Sequence, residues 1–470
     1  MKKYILKLQI LLLVLFLTTS CEKDFLNDPE PTSSVTGVTI FGSRAGAEAL
    51  LSGIQRNFRS QFTRTDAGGV YSIYMARSVK GNDLIQNSWY NFDYDNDNRE
   101  PTYVRTTFSW EYPYYMINQA NSLINGVEAS DLSDIDKKEL IAQGKALRGF
   151  FYFQLAMEFQ QTYSFDPSLP APPIYTELSL EGKPMTTLQD LYDFIVTDLT
   201  DAVAGLDGNR LGKSYVNKQV ASGILARVYQ VMGNWSGAET AARTAYGGNV
   251  ASALDASSYN KGFDDISNTE WIWGSPQTTD QSNYYYIAPH AFTDHNEDGY
   301  FGTWINRDFV NLFSSTDVRN LFETIYGGTE ANWFYYTTTK FHFAFDSDMP
   351  LMRSPEMILI EAEAKLMQGD PTAHDLLYEL QLNRDPMAVK STNTGNALLD
   401  EILVERRKEL YAEIGVEWFD AKRLRRGIAR TGNHRLFSSL APDDKKFFLK
   451  IPQTEIDAND NIDDSVNTNR

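Results

Sequence analysis

The sequence predicts a mostly α-helical fold, built from tetratricopeptide-like helical pairs and carrying one loop-rich insertion. Three observations lead there. Eight segments repeat apolar residues every three or four positions, the period of a helix with a buried face. Two consecutive segments within 218–246 have the residue spacing of a tetratricopeptide repeat. Between 248 and 350 the helical period is lost, and aromatic residues interleaved with Asp, Asn, Gly and Thr replace it.

From Arg44 onward, Ala47, Leu51, Ile54 and Phe58 share one helical face. A second helix is expected to start at Pro113, because proline is favoured at the first helical position; Ile117, Ala120, Ile124 and Val127 follow in register. The third, over 133–160, carries two stripes. Ala142, Ala146, Phe150, Phe153 and Met157 form one, and Leu147, Phe151, Leu155 and Phe159 form the other. A helix apolar on two faces is sandwiched between neighbours. The fourth, over 188–206, presents Leu188, Leu191, Ile195, Leu199 and Val203.

In the fifth and sixth, Leu225, Ala226, Tyr229, Ala238, Ala242 and Ala245 occupy the repeat positions, and Gly233, Asn234 and Trp235 turn the chain between them. Small residues there let paired helices approach closely. The similar lengths of the other pairs extend the reading to a small solenoid. Helices return at Ser354, whose Pro355 and Glu356 read as the start of a first turn, and again over 397–408. In the latter, Leu399, Leu403, Arg406 and Leu410 share a face. Arg406 is thus expected on an apolar seam with Glu405, Glu409 and Glu413 as partners, since an uncompensated buried guanidinium is very costly. The cluster reads as ion pairing between helices in preference to a catalytic carboxylate pair.

Residues 259–343 hold 21 aromatics in 85 positions. Long irregular segments in ordered domains are usually functional. Trp271 and Trp273 alternate around Ile272 as in a short strand and are assigned to the core. Trp304, Trp333, Tyr284, Tyr285, Tyr286 and Tyr300 stand in loop-like surroundings and are expected to be exposed.

The N-terminus has Lys2, Lys3 and Lys7, then an apolar run from Ile10 to Leu17, then Thr18, Thr19, Ser20 and the chain's one cysteine, Cys21. This pattern is that of a secretory signal peptide, with a run too short to span a bilayer. A small residue directly before cysteine resembles the bacterial lipobox, in which the cysteine is lipidated, although Thr18 occupies the usual leucine position. Ordinary cleavage leaving a free thiol is the alternative. The resulting division is a signal peptide at 1–20, a lipidated N-terminus and tether at 21–42, helical parts at 43–247 and 351–470, and the aromatic segment at 248–350 between them. Pro29, Pro31 and Gly37 forbid regular structure in the tether.

The chain has 470 residues and a formal charge of -19; removing residues 1–20, with three lysines and no acid, takes it to -22. Such a surface repels phosphate backbones, which argues against nucleic-acid binding. The five histidines are scattered, and no G-x-S-x-G, H-E-x-x-H or phosphate loop occurs. Paired carboxylates of a glycosidase have no fixed spacing, so a glycan-active enzyme stays a minor alternative. No cofactor is expected, with calcium as the one open question. Asp294, Asn296, Asp298 and Gly299 copy the start of an EF-hand loop, but Ile305 stands where a bidentate glutamate is needed. Asp93, Asp95 and Asp97 alternate likewise, with Val104 at the twelfth place. An Asx-rich turn is the preferred reading of both.

Seven stretches carry a family resemblance: CEKDFLNDPEP from Cys21, YYMINQANSLING from Tyr114, KALRGFFYFQLAMEF from Lys145, LYDFIVTDLTDAV from Leu191, ASGILARVYQVMGNWSGA from Ala221, RSPEMILIEAEA from Arg353 and ILVERRKELYAEIGVEWFDAKR from Ile402. Together they resemble the SusD/RagB family of surface nutrient-capture lipoproteins. The chain departs from the family at Glu417, where arginine is usual, and in its tail, which lacks the usual Asn-Pro. The resemblance implies four tetratricopeptide-like helix pairs supporting a loop-rich ligand face, and no catalysis. It further implies a lipid-anchored protein on the cell surface that captures an oligo- or polysaccharide and delivers it to a SusC-like TonB-dependent outer-membrane transporter. Peptide capture on the same architecture is the alternative.

A carbohydrate binder needs exposed aromatic rings to stack on C–H faces, with polar side chains at the sugar edges. Two stretches have that mixture: Asp83, Asn87, Trp89, Asn91 and Tyr94, and then Tyr284–Tyr286, Tyr300 and Trp304. In the family the ligand face draws on both corresponding regions. Trp89 is the leading candidate, since Asn87, Ser88 and Asn91 surround it without an apolar stripe, and Trp304 is second.

Overall fold

The computed structural model describes residues 40–60, 62, 67–87, 99–281, 289–297 and 299–470. Cys21, Trp89, Asn91, Asp93, Tyr94, Asp95, Asp97, Tyr284, Tyr285, Tyr286 and Asp298 lie outside the described residues.

The fold is mostly α-helical, and its longer helices pack against their neighbours in sequence. Helix α1 (Arg44–Arg56) is capped by the Ser43 hydroxyl, which accepts from the Gly46 N–H, and it buries Ala47, Leu51 and Ile54. A 3-10 turn, Asn57–Arg59, continues the stripe to Phe58, whose ring meets Phe150, Phe151 and Trp273. Helix α2 (Val70–Ser78) has every residue buried, so no polar face marks its period in the sequence. Gly69 precedes it with φ 77°, and a Cβ there would lie 2.1 Å from the Phe58 carbonyl oxygen. Only glycine fits.

Helix α3 spans Val104–Glu128, so the expected start at Pro113 is corrected: that proline lies inside the helix. It forfeits one main-chain hydrogen bond. The turns around it are held by packing, with Phe108 stacked on Tyr112 at 5.3 Å, Tyr112 edge-on to Phe151 and Trp110 edge-on to Phe159. Helix α4 (Asp134–Phe159) is capped by Ser133 and buried on nearly all sides from Leu140 onward, packed between α3 and α5 (Leu188–Gly205). Its polar groups are paired inside. Arg148 grips Asp198 of α5 through two bonds of 2.7 and 2.8 Å, and Glu158 accepts from Arg77 and Arg105.

Asn217 and Asn234 cap α6 (Lys218–Met232) and α7 (Trp235–Tyr246), with Gly233 left-handed between them. The two helices pack on each other as the expected helical pair. Helix α8 (Ser354–Met367) packs on α7, and α9 (Ala373–Arg384), α10 (Gly395–Leu410) and α11 (Val416–Arg423) complete the series. One apolar core runs through the whole series, and a smaller one lies beneath the aromatic segment around Tyr259, Phe263, Phe309, Phe313 and Phe341.

Three two-stranded antiparallel ribbons tie that segment down, and a fourth, within 170–187, lies outside it. Strand β1 (Leu84–Gln86) pairs with β5 (Thr303–Ile305), β2 (Pro170–Ala171) with β3 (Thr186–Thr187), β4 (Trp271–Ser275) with β8 (Met349–Arg353), and β6 (Phe322–Glu323) with β7 (Thr337–Thr338). All five residues of β4 are buried, in keeping with the strand expected at Trp271–Trp273.

Glu409 of α10 and Glu413 just beyond it make the pairs that lock this segment to the helices, with different partners from those expected. Arg406 pairs with Asp420 of α11 at 2.8 Å, not with its sequence neighbours. Glu409 instead receives Arg353, Arg384 and Arg319, and Glu413 receives Arg353 and Lys340. Glu270 bonds Arg384 at 2.8 Å, and Asp317 holds Arg319 through two oxygens. Burial opposes the charge on Glu409, yet Arg384, Arg353 and Arg319 hold its carboxyl well below its ordinary value.

Candidate ligand-binding face

The β1–β5 ribbon brings the two candidate stretches side by side. Leu84 pairs with Ile305, Ile85 with Trp304 and Gln86 with Thr303, and the Asn87 N–H donates to the Gly302 carbonyl at 3.4 Å. The register is fixed from below. Leu84 and Ile305 enter the smaller core with Phe309, whereas Ile85 enters the main one. Beyond the ribbon, the Asn306 N–H donates to the Asp83 carbonyl, and the Asn306 amide donates to Asn82 and to the Thr431 carbonyl. The chain therefore leaves Asn87 and enters Tyr300 at one edge.

Trp304 is 7% exposed, which corrects its expected exposure. It is a strand residue, and its ring is enclosed by Trp333 at 4.9 Å, His295 at 5.0 Å and Tyr326 at 6.1 Å. Its indole N–H is buried without a hydrogen-bond partner among the described residues. Phe301 and Tyr326, each against His295, open outward at 37% and 45% exposed, and Phe437, two residues beyond Arg435, is 66% exposed. His295 Nε2 faces the Thr303 carbonyl at 2.6 Å and its Nδ1 faces the Tyr326 hydroxyl at 2.8 Å. Those partners assign the neutral tautomer with the proton on Nε2, donating to Thr303 and accepting from Tyr326. Burial lowers the His295 pKa in agreement. Arg435 lies 5.7 Å from the Trp333 ring and reaches the Gln86 carbonyl, so the loop bearing Phe437 is anchored to the ribbon.

The remaining candidates divide. Asn87 and Tyr300 are half-buried at the edge, with Tyr300 against Phe292 at 5.3 Å. Asp83 points inward: it is buried, and its carboxylate takes the Arg407 guanidinium, with Nε at 2.9 Å. Beneath it, Glu417 accepts the N–H groups of Asn82 and Asp83 at 2.6 and 3.2 Å, and burial together with the Asp83 charge pushes its carboxyl upward. The residue that departs from the family pattern thus supports the start of the ribbon. Asp294 is also buried, its oxygens accepting from the N–H groups of Asn296 at 2.8 Å and Phe343 at 2.7 Å. Asn296 donates to Glu323. Among the described residues no group of three or more His, Cys, Asp or Glu is placed to hold a metal ion.

A concavity of about 410 Å³ opens beside α3, with Trp110, Tyr114, Tyr115 and Tyr175 in its walls. Sequence reading missed it because its sides come from three distant stretches. Tyr114 and Tyr115 stood within a helical motif and were read only as helix.

Two family models match the chain: one described as starch-binding associating with outer membrane, over residues 42–230, and the SusD family, over 334–467. No curated protein matches it. Among solved structures, a SusD-like carbohydrate binding protein from Bacteroides vulgatus ATCC 8482 is 27% identical, with 90% of this chain and 98% of that one covered and a TM-score of 0.81. A SusD superfamily protein from Bacteroides thetaiotaomicron VPI-5482 is 24% identical, with 89% and 99% covered and a TM-score of 0.79. A putative sugar binding protein from Bacteroides vulgatus ATCC 8482 is 23% identical, with 89% and 97% covered and a TM-score of 0.77. With both of its helical parts matched and the same architecture throughout, the chain belongs to the SusD/RagB family.

Proposed function

We propose that this protein is a cell-surface lipoprotein that captures an oligo- or polysaccharide and passes it to a SusC-like TonB-dependent transporter in the outer membrane. The observation that carries the reading is the β1–β5 ribbon, which joins the early loop and the aromatic segment beneath a rim of exposed rings. Such rings stack on the C–H faces of sugars. The carbohydrate-binding relative and the outer-membrane description of the N-terminal family model support the same reading. In it, Trp89, Tyr94 and Tyr285 stack on the sugar together with the exposed Phe301 and Tyr326, Asn87 and Tyr300 bond its edges, and Trp304 supports the site from beneath. The protein binds and does not catalyse. The acidic turn at Asp294 is structural and takes no calcium.

Anchorage is through lipid on Cys21. No helix among the described residues is long and apolar enough to cross a membrane. A glycan-array screen of the protein followed by isothermal titration of the hits tests the ligand class. Saccharide binding is expected. Heat released only by an oligopeptide mixture would replace the sugar with a peptide. Mild detergent extraction is expected to recover a large barrel protein in near-equal amount, and recovery of this chain alone would count against the transporter.

A further inference from the structure

The cleft beside α3 stands apart from the ribbon, and none of its lining residues belongs to the face described above. Helical spacing builds one wall: Trp110, Tyr114, Ile117 and Asn121 recur every three or four positions along α3. Tyr175 and the stretch to Ser179 form the other wall, and Glu455, in the short helix Gln453–Ala458, closes one end.

The walls are held in place. The Tyr114 hydroxyl donates to the Pro173 carbonyl at 2.7 Å, and the Asn121 amide donates to the Tyr175 carbonyl at 3.0 Å. The Trp110 indole donates to Glu455 at 3.0 Å, and Asn459 bonds the other oxygen of the same carboxylate at 2.8 Å. Trp110 and Tyr114 lie 5.1 Å apart, and Tyr114 and Tyr175 lie 5.8 Å apart. A volume of about 410 Å³ falls within the usual range of small-molecule sites.

The charge of the cleft is one-sided. Glu111, Glu177 and Glu455 line it, and no lysine, arginine or histidine does. Burial pushes the Glu111 carboxyl upward, partly offset by the Thr454 hydroxyl. The Lys183 ammonium lies 5.2 Å from the Tyr175 ring, tied to the Ile174 carbonyl, an internal precedent for a cation on that ring. Aromatic faces and carboxylates together recognise an organic cation. Asn118, whose side chain makes no hydrogen bond among the described residues, adds a partner for hydroxyl groups, while the Ser179 hydroxyl is engaged by Glu181.

We propose that this cleft binds an amino sugar through its protonated, unacetylated amine, with the carboxylates taking the ammonium and the tyrosines taking the sugar's C–H face. A neutral sugar leaves the carboxylates unused, and an acidic sugar is repelled by them. This site does not depend on the ribbon face.

The test is isothermal titration of the whole protein at pH 6.5 and low salt with a glucosamine trimer, its fully N-acetylated counterpart and trilysine. The glucosamine trimer is expected to bind at least tenfold more tightly than either. The double variant Glu111→Gln/Glu177→Gln, and separately Tyr115→Ala, are each expected to weaken it at least tenfold with an unchanged melt. Equal affinity for the acetylated trimer, unchanged binding by both variants, or no binding at millimolar sugar would overturn the proposal. Trilysine binding as tightly as the glucosamine trimer would overturn the sugar as the source of the amine.

Discussion

Ile85 lies directly opposite Trp304 across the β1–β5 ribbon, so a loop early in the chain and one far along the aromatic segment share a single floor. Ile85 is fully buried and Trp304 nearly so. Trp304→Ala is therefore expected to remove core packing, with a loss of roughly 3–5 kcal/mol. Phe437→Ala, at an exposed ring, is expected to change stability by less than about 0.5 kcal/mol. Urea unfolding of the two variants distinguishes them, and equal losses would mean that Trp304 is not part of the floor.

The buried pairs around Glu409 predict a second contrast. Glu409→Ala leaves Arg319, Arg353 and Arg384 without a carboxylate they share, and breaking a buried pair in this way costs roughly 3–5 kcal/mol. Asp400→Ala removes only the exposed partner of Arg426 and should cost less than about 1 kcal/mol. Chemical denaturation of both variants checks the difference.

Glu417 gives the fold a pH dependence of definite sign. Its folded pKa is raised from 4.5 to about 7, first by burial and then by the Asp83 charge. Between those values the folded chain holds a proton that the unfolded chain releases, so stability from this group is full below pH 4.5 and falls as pH rises through 7. Glu417→Gln keeps an oxygen for the N–H groups of Asn82 and Asp83 while removing the charge. The variant's melting temperature should exceed that of the parent by more at pH 8 than at pH 5. An equal difference at both pH values would show that Glu417 does not titrate in this window.

Where the physics is local, the sequence was readable. The helices expected over 133–160 and 188–206 and within 218–246 are found there, capped by Ser133, Thr187, Asn217 and Asn234, and the stripes of α1 and α4 are buried as their period requires. Pro113 misled because neighbouring aromatic packing outweighs its one lost hydrogen bond. Helix α2 has no polar face to create a period. Arg406 lay on the expected buried seam, but its partner Asp420 is on another helix, and pairing across helices is set by packing that spacing along one helix does not encode. The two candidate stretches were identifiable from their residue types. Which of their side chains turn inward was not, since Asp83 is claimed by Arg407 and Trp304 by the strand it occupies.

Lipid on Cys21 is the expected anchor, because two or more acyl chains hold a protein stably on a bilayer. Cys21→Ala should move the protein from the membrane pellet to the soluble fraction. A variant that still pellets and still labels at the cell surface would remove lipid as the anchor.

Rings from both stretches are proposed to bind one sugar together. Isothermal titration with the best glycan-array hit, comparing the parent with Trp89→Ala and Tyr285→Ala, tests it most directly. A stacking ring at the centre of a site is worth roughly 2 kcal/mol or more on truncation. Each variant should therefore bind well over tenfold more weakly while its melting temperature stays within a degree or so of the parent, an outcome expected for rings outside the core. Parent-like affinity in both variants would contradict the claim.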